Sequence, residues 1–389
     1  MNSIASTDPT WLSVLRLLAT EPLLSACGPL GALLPASSGM LLLHAGPPYA
    51  GPEELPASML NSAVAAALFE EWADSRQEAI DMILSGRIIL RPAQDFGVVT
   101  PLAFVVSPQI PVLRVEDRNG VASPRFSPVN DGTMPGALRF GDESEGRLER
   151  LRRLASIGSA LDAALARPIP LLPIMQTGLA GGDDLHGRVG AANRALANCL
   201  IPRLVGDARD HVAGASHFVL NALMSACAMM IGAGEGIPGS RMVTRAGANG
   251  VRLGWSVAGS PDAWITTPAE APRGPRRPGC ETAPALPAIG DSVVIDACGF
   301  GAAAVRASPD LTSALRGHCS EAFFDDRASQ PFLAAHPSFG PALRLGLDLA
   351  RPWTARGIIL GMLDASGEKG LIGQGLAPWP DLDGSVSAP

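Results

Sequence analysis

Phe218-Val-Leu-Asn-Ala-Leu-Met-Ser-Ala-Cys-Ala-Met-Met-Ile-Gly-Ala-Gly234 is the most apolar run in the chain, and its reading decides the fold. A bilayer-spanning helix needs about 20 predominantly apolar residues. This run is shorter, and Asn221 and Ser225 interrupt it. It therefore reads as a buried core helix, with no membrane implied. Helical periodicity continues on its N-terminal side. Asp207 to Gly232 and Asp183 to Leu204 read as two helices, and Glu145 to Ala166 reads as a charged amphipathic one. Together they predict a helical subdomain over residues 145–236.

The flanks have a different texture. Pro56 to Trp72 predicts an alanine-rich helix. A second opens at the capping box Ser75-Arg-Gln-Glu78 and stops at Gly86. Ile88 to Leu90, Val98 to Val106 and Val112 to Val115 predict strands, and Asn119-Gly120 then signals a hairpin. Past the helices, strands are expected at Met242 to Arg245, Val251 to Val257, Trp264 to Thr266 and Val293 to Ala297. The proline-rich Pro268 to Pro287, with Arg273, Arg276 and Arg277, reads as a long exposed loop, functional or mobile. Strands at both ends and helices between them predict an α+β, multidomain fold. It comprises two mixed α/β domains, residues 1–144 and 237–389, with a central helical subdomain.

Charged residues make up 17% of the chain and hydrophobic ones 47%, a composition short of surface that suggests burial in an oligomer or complex. The net charge is −7 and the arginines are scattered, which argues against nucleic acid as a partner. The start, Met1-Asn-Ser-Ile-Ala-Ser-Thr-Asp8, lacks a secretory signal's positive region. Six cysteines are widely spaced, with no C-x-x-C pair, and frame neither a disulfide scaffold nor a zinc site. A cytoplasmic location is the expectation.

Candidate chemistry lies in a few clusters. The densest is Gln176-Thr-Gly-Leu-Ala-Gly-Gly-Asp-Asp-Leu-His-Gly-Arg188. Here Asp183 is expected to cap a helix, with Asp184 and Arg188 four apart on one face and His186 in the first turn. Two carboxylates, an imidazole and a guanidinium can move a proton and hold an anion; the plain alternative is helix capping beside a surface ion pair. A third metal ligand is not visible near the aspartates, so neither metal nor cofactor is expected. Leu43-His-Ala-Gly-Pro-Pro-Tyr49 puts His44 at a strand end. Pro128-Val-Asn-Asp-Gly-Thr-Met-Pro-Gly136 offers Asn130, and Thr244-Arg-Ala-Gly-Ala-Asn-Gly250 offers Arg245; both also read as ordinary turns. In Gly290-Asp-Ser-Val-Val-Ile-Asp-Ala-Cys-Gly-Phe-Gly-Ala-Ala-Ala304, Gly299 and Gly301 could let backbone amides approach an oxyanion. Finally, the only lysine, Lys369, stands against twenty-nine arginines within Asp364-Ala-Ser-Gly-Glu-Lys-Gly-Leu-Ile-Gly-Gln-Gly375, beside Glu368. Such a survivor marks a place where arginine does not serve.

Taken in order, several stretches resemble one family. They are His44-Ala-Gly-Pro-Pro, Leu68-Phe-Glu-Glu-Trp-Ala73, Gly136-Ala-Leu-Arg-Phe-Gly141, Gly182-Asp-Asp-Leu-His-Gly-Arg188, Phe218 to Gly234, Gly290-Asp-Ser292 and Gly370-Leu-Ile-Gly-Gln-Gly375. They are similar to the YlbE-like family, whose members include the large subunit of an oxamate carbamoyltransferase. The chain departs from the family at Val189, at Ala246, and in lacking a helix after Pro380. The resemblance implies interconversion of oxalurate plus phosphate with oxamate plus carbamoyl phosphate, and an FdrA-like partner subunit.

On that basis a carbamoyltransferase-like site is expected. Arg188, Arg245 and Lys369 would neutralise phosphate and carboxylate, and His186, oriented by Asp183 or Asp184, would move the amide proton. His44, Asn130, Glu368, Gly299 and Gly301 would bind substrate. Two other readings stand beside this one: a non-catalytic partner subunit of an FdrA-like enzyme, and a small-amide hydrolase.

Overall fold

In the computed structural model, residues 8–34 and 39–380 are described. The readings of the N-terminal start and of the segment after Pro380 lie outside the described residues. The Phe218–Gly232 helix is the axis of the molecule: every residue from Phe218 to Ile231 is buried. A helix apolar all round must be covered on every side. One side is covered by an antiparallel four-stranded sheet in the order Arg125–Pro128, Pro111–Asp117, Pro22–Pro29, Ile169–Pro170. Another is covered by a second antiparallel sheet in the order Ile289–Gly290, Val243–Asn249, Arg252–Val257, Ser260–Pro268. Helices Val293–Cys298, Pro9–Leu18 and Gly190–Leu200 complete the surround, Arg147–Ala164 packs on the Pro22–Pro29 strand, and a C-terminal hairpin pairs Ile358–Leu363 with Leu371–Ala377. The architecture is α+β. The largest hydrophobic cluster runs from Val14 through the axial helix to Trp379, with smaller ones beside it.

Asn221, the polar interruption of the apolar run, has a defined task. Its Nδ2 donates to the Pro128 carbonyl at 2.5 Å, and its Oδ1 accepts from Asn130 Nδ2 at 2.8 Å. A buried amide is costly unless bonded on both sides. The interruption therefore ties the axial helix to the loop after the Arg125–Pro128 strand.

Many expected elements are present. Ala57–Phe69 is helical, and Ser75 Oγ accepts from the Glu78 amide at 3.2 Å to cap Arg76–Leu84. The Glu78 carboxylate turns to the amide of Asp74. The Asn119-Gly120 signal joins Pro111–Asp117 to Arg125–Pro128.

Five expectations are corrected. Asp183 to Leu204 is helical only over Gly190–Leu200, because residues 183–189 form a turn organised by the two aspartates. Asp207 to Gly232 is two helices, Gly206–Gly214 and Phe218–Gly232, bent by 79° at the intervening residues. No single described helix is long and apolar enough to cross a membrane. Val98 to Val106 makes only isolated bridges. Val293 to Ala297, β-branched and read as a strand, is the helix Val293–Cys298, its residues buried throughout; burial on all sides removes the period that distinguishes the two.

The fifth concerns Pro268 to Pro287, which is not a free loop. The amides of Arg273 and Arg277 donate to the Leu376 and Ile372 carbonyls at 2.9 and 2.8 Å, and Leu376 N returns a bond to Arg273 O at 3.0 Å. The segment is thus an irregular strand against the C-terminal hairpin. It carries Arg276 and Arg277 to a fixed place.

Candidate active site

That place is a cleft of about 430 Å³ between the axial helix, the C-terminal hairpin and the loop before Arg147. Arg139, Arg188, Arg276 and Arg277 line it, with His186 and His217. Among the described residues, no carboxylate side chain lines it.

The geometry around His186 begins with the turn at 183–189. Asp183 accepts from the Ala192 amide at 2.8 Å, which caps the following helix from a distance. Asp184 accepts from the amides of Gly187 and Arg188 at 2.9 and 2.6 Å. Leu185 between them is held at φ 69°, a left-handed conformation that a branched side chain adopts at a cost of about 1–2 kcal/mol. The two aspartates and the buried Leu185 side chain hold that conformation, and it aims His186 inward.

There His186 Nδ1 meets Asp296 Oδ2 at 2.5 Å, both side chains being almost fully buried. Asp296 Oδ1 accepts from the amides of Ala302 and Ile359 at 2.8 and 3.1 Å, so the carboxylate's charge has fixed dipoles around it. An acceptor-only carboxylate fixes the Nδ1–H tautomer. Nε2 is left with its lone pair on the side that lines the cleft. This is the arrangement of an oriented general base.

The cations are held individually. Arg188 Nη1 donates to Gln374 Oε1 at 2.8 Å and to the Gly187 carbonyl at 3.0 Å. Arg139 Nη1 donates to Asn130 Oδ1 at 2.7 Å, the same amide that Asn221 fixes from the axial helix. Arg276 Nη1 folds back onto the Ala283 carbonyl at 2.5 Å and stiffens its loop. His217 reports the resulting field. Burial first, then Arg139, Arg188, His186 and Arg277, push it down to about 4, so it is a neutral imidazole at neutral pH.

The sequence-derived candidates thus separate. His186 and Arg188 line the cleft, and Asn130 stands one bond behind it through Arg139. Asp183 and Asp184 shape the turn, while Asp296 orients the histidine. Gly299 and Gly301 do not present amides to the cleft. Gly299 N bonds Asp296 O at 3.1 Å and Gly301 N bonds Asp184 O at 2.9 Å. Gly301 is required for another reason: at φ +58°, a Cβ there would collide with the Asp296 carboxylate. Arg245 is locked by Asp95 and Glu235, each at 3.3 Å. His44 is buried against Tyr49 in a loop that Asp291 fastens by accepting from Gly46 N at 2.9 Å. Lys369 and Glu368 are exposed in the hairpin turn, where the Asp364 carboxylate accepts their amides, and neither lines the cleft.

Asp296, Arg139, Arg276, Arg277, His217 and Gln374 escaped the sequence reading as site residues. Asp296 left one signal, a carboxylate inside an unbroken apolar run, which is tolerated only with a partner.

A family model described as oxamate carbamoyltransferase subunit AllG matches residues 88–292, more than half of the chain. The chain is 30% identical over 289 residues to oxamate carbamoyltransferase subunit AllG of Escherichia coli (strain K12), covering 71% of this chain and 68% of that one. It is 26% identical over 319 residues to the uncharacterized protein YahG of the same organism, covering 79% and 67%. A crystal structure of a conserved protein of unknown function from Enterococcus faecalis V583 shares the fold. Its TM-score is 0.86 at 23% identity, over 96% of this chain and 94% of that one.

Proposed function

The chain belongs to the oxamate carbamoyltransferase subunit AllG family, and on that premise we propose that its cleft carries carbamoyl transfer between phosphate and the amide nitrogen of a small anionic amide such as oxamate. Membership gives the chain a carbamoyltransferase-related role as one subunit of a complex. The observation that carries the finer reading is the His186–Asp296 pair beside a cleft lined by four arginines and, among the described residues, no carboxylate.

In the forward direction the amide nitrogen attacks the carbamoyl carbon of carbamoyl phosphate. The new N–C bond forms as the C–O bond to phosphate breaks, and the electron pair leaves with the phosphate. His186 Nε2 takes the amide proton, and Asp296 stabilises the imidazolium that results. The arginines take up charge developing on the leaving phosphate, which a dry, pre-arranged site does with little reorganisation. In reverse, the imidazolium returns the proton to the departing amide nitrogen.

The FdrA-like partner enters this proposal as a neighbouring subunit that completes or feeds the cleft. The test is product analysis by phosphorus and carbon NMR of the protein, alone and with its partner subunits, given carbamoyl phosphate and oxamate. Formation of oxalurate together with inorganic phosphate supports transfer. Phosphate appearing with ammonia and bicarbonate, and no oxalurate, rejects transfer in favour of hydrolysis.

A further inference from the structure

The cations of the cleft divide into two sets, and the division rests on the transferase reading above. Arg139 and Arg277 converge on one ring, their guanidinium carbons 5.0 and 6.0 Å from the centre of Phe140. Arg139 is only 4% exposed, and its guanidinium bonds the neutral amide oxygen of Asn130. Among the described residues, neither guanidinium forms an ion pair with a carboxylate. The acid whose field acts on Arg139 is Asp131, whose Oδ2 accepts the Leu138 amide at 2.8 Å.

Burying a guanidinium without a counter-charge is costly, and a second cation beside it raises that cost. Burial, with the field of Arg277 added and that of Asp131 opposing, lowers Arg139 to about 10. The pair is kept in place by Asn130 on one side and by the backbone clamp of Arg277 on Ile372 on the other. Two adjacent cations, held rigid and with no carboxylate paired to either among the described residues, are matched by a dianion. Arg188 is arranged differently: it stands two residues after His186 in the chain, and Gln374 holds it apart from the Phe140 pair as a single cation suited to one carboxylate.

We propose that Arg139 and Arg277 form the subsite for a dianionic phosphoryl group, free or carried on an acyl phosphate, and that Arg188 on Gln374 is a separate subsite for the carboxylate of the acceptor. The amide nitrogen to be carbamoylated is thereby placed beside His186, with the phosphate leaving toward Phe140.

Titration calorimetry of the full chain with inorganic phosphate, carbamoyl phosphate and oxamate in turn tests this. Arg277→Gln is expected to weaken both phosphate-bearing ligands about 10- to 100-fold, as loss of a charge-assisted contact does, and oxamate by no more than about twofold. Arg188→Gln is expected to do the reverse. Arg139→Lys, which keeps the buried charge but loses the fork, serves where Arg139→Gln does not fold. Loss confined to carbamoyl phosphate assigns the subsite to the acyl phosphate; loss of both ligands assigns it to free phosphate as well. Unchanged binding of both inorganic phosphate and carbamoyl phosphate in Arg277→Gln, or equal weakening of the phosphate-bearing ligands and oxamate by each variant, overturns the division. Phosphate binding lost in Arg277→Gln by a protein that transfers no carbamoyl group upholds the subsite and rejects the transferase reading. Intact binding of both phosphate-bearing ligands in Arg277→Gln within an active transferase rejects the subsite alone.

Discussion

His186 and Asp296 lie 110 residues apart in the chain, yet Nδ1 and Oδ2 meet at 2.5 Å inside the fold. The helix carrying Asp296 packs directly on the axial helix, and the turn carrying His186 is braced by Asp183 and Asp184. Asp296→Asn keeps an oxygen for the Ala302 and Ile359 amides but turns its NH2 donor toward His186 Nδ1, which favours the tautomer with the proton on Nε2 and removes the base from the cleft. Turnover is expected to fall roughly 10²- to 10⁴-fold, the range of general acid–base contributions, with the melting temperature little changed. Steady-state kinetics beside a thermal melt check this; an equal loss of fold would mark Asp296 as structural only.

Gly301 tests the same pair from behind. At φ +58°, Gly301→Ala meets the Asp296 carboxylate, whereas Gly317→Ala, at φ +86°, meets nothing within 4 Å. Both variants should lose about 1–2 kcal/mol for the left-handed backbone. Only Gly301→Ala should also lose turnover. Matched activity losses in the two would contradict the steric argument.

The second sheet's neighbourhood predicts an acid limb of stability. His44 is fully buried, its Nδ1–H donates to the Ala45 carbonyl at 2.8 Å, and its Nε2 has no partner among the described residues. Burial, opposed by that one bond, lowers it from 6.5 to about 4. The folded state therefore binds this proton more weakly than the unfolded chain. Stability is full above pH 6.5 and is lost as pH falls toward 4, by up to about 3 kcal/mol. Denaturant melts of wild type and His44→Gln across that window should show a shallower slope in the variant, with the remainder of the limb owed in part to His217, which is also lowered to about 4.

Lys369 is exposed in the hairpin turn, where its backbone amide donates to the Asp364 carboxylate. Lys369→Met is expected to leave turnover within about twofold and the melting temperature unchanged, as exposed substitutions usually do. A large loss of turnover with the fold intact would return the lysine to the site.

These cases show what the sequence made legible. The axial helix was readable because a long apolar run with two small polar breaks admits few structures. The cluster around His186 was readable because four kinds of polar residue crowd into an apolar chain. Asp296 was hidden because the pairing depends on tertiary contact across 110 residues, and no local pattern encodes that. Arg139 and Arg277 were hidden among many arginines, since only the clamp of Pro268 to Pro287 on the hairpin brings the second to the first. Lys369 was singled out by rarity in composition, which says nothing about position, and the structure leaves it exposed and outside the lining of the cleft.

The most direct test of the central claim is the rate of oxalurate formation from carbamoyl phosphate and oxamate by His186→Gln, measured with the partner subunits present. Loss of kcat of roughly 10²-fold or more, with KM for carbamoyl phosphate nearly unchanged, is the predicted result, because the imidazole acts on the proton and the arginines hold the phosphate. Wild-type turnover in His186→Gln would contradict it and place the chemistry outside this cleft.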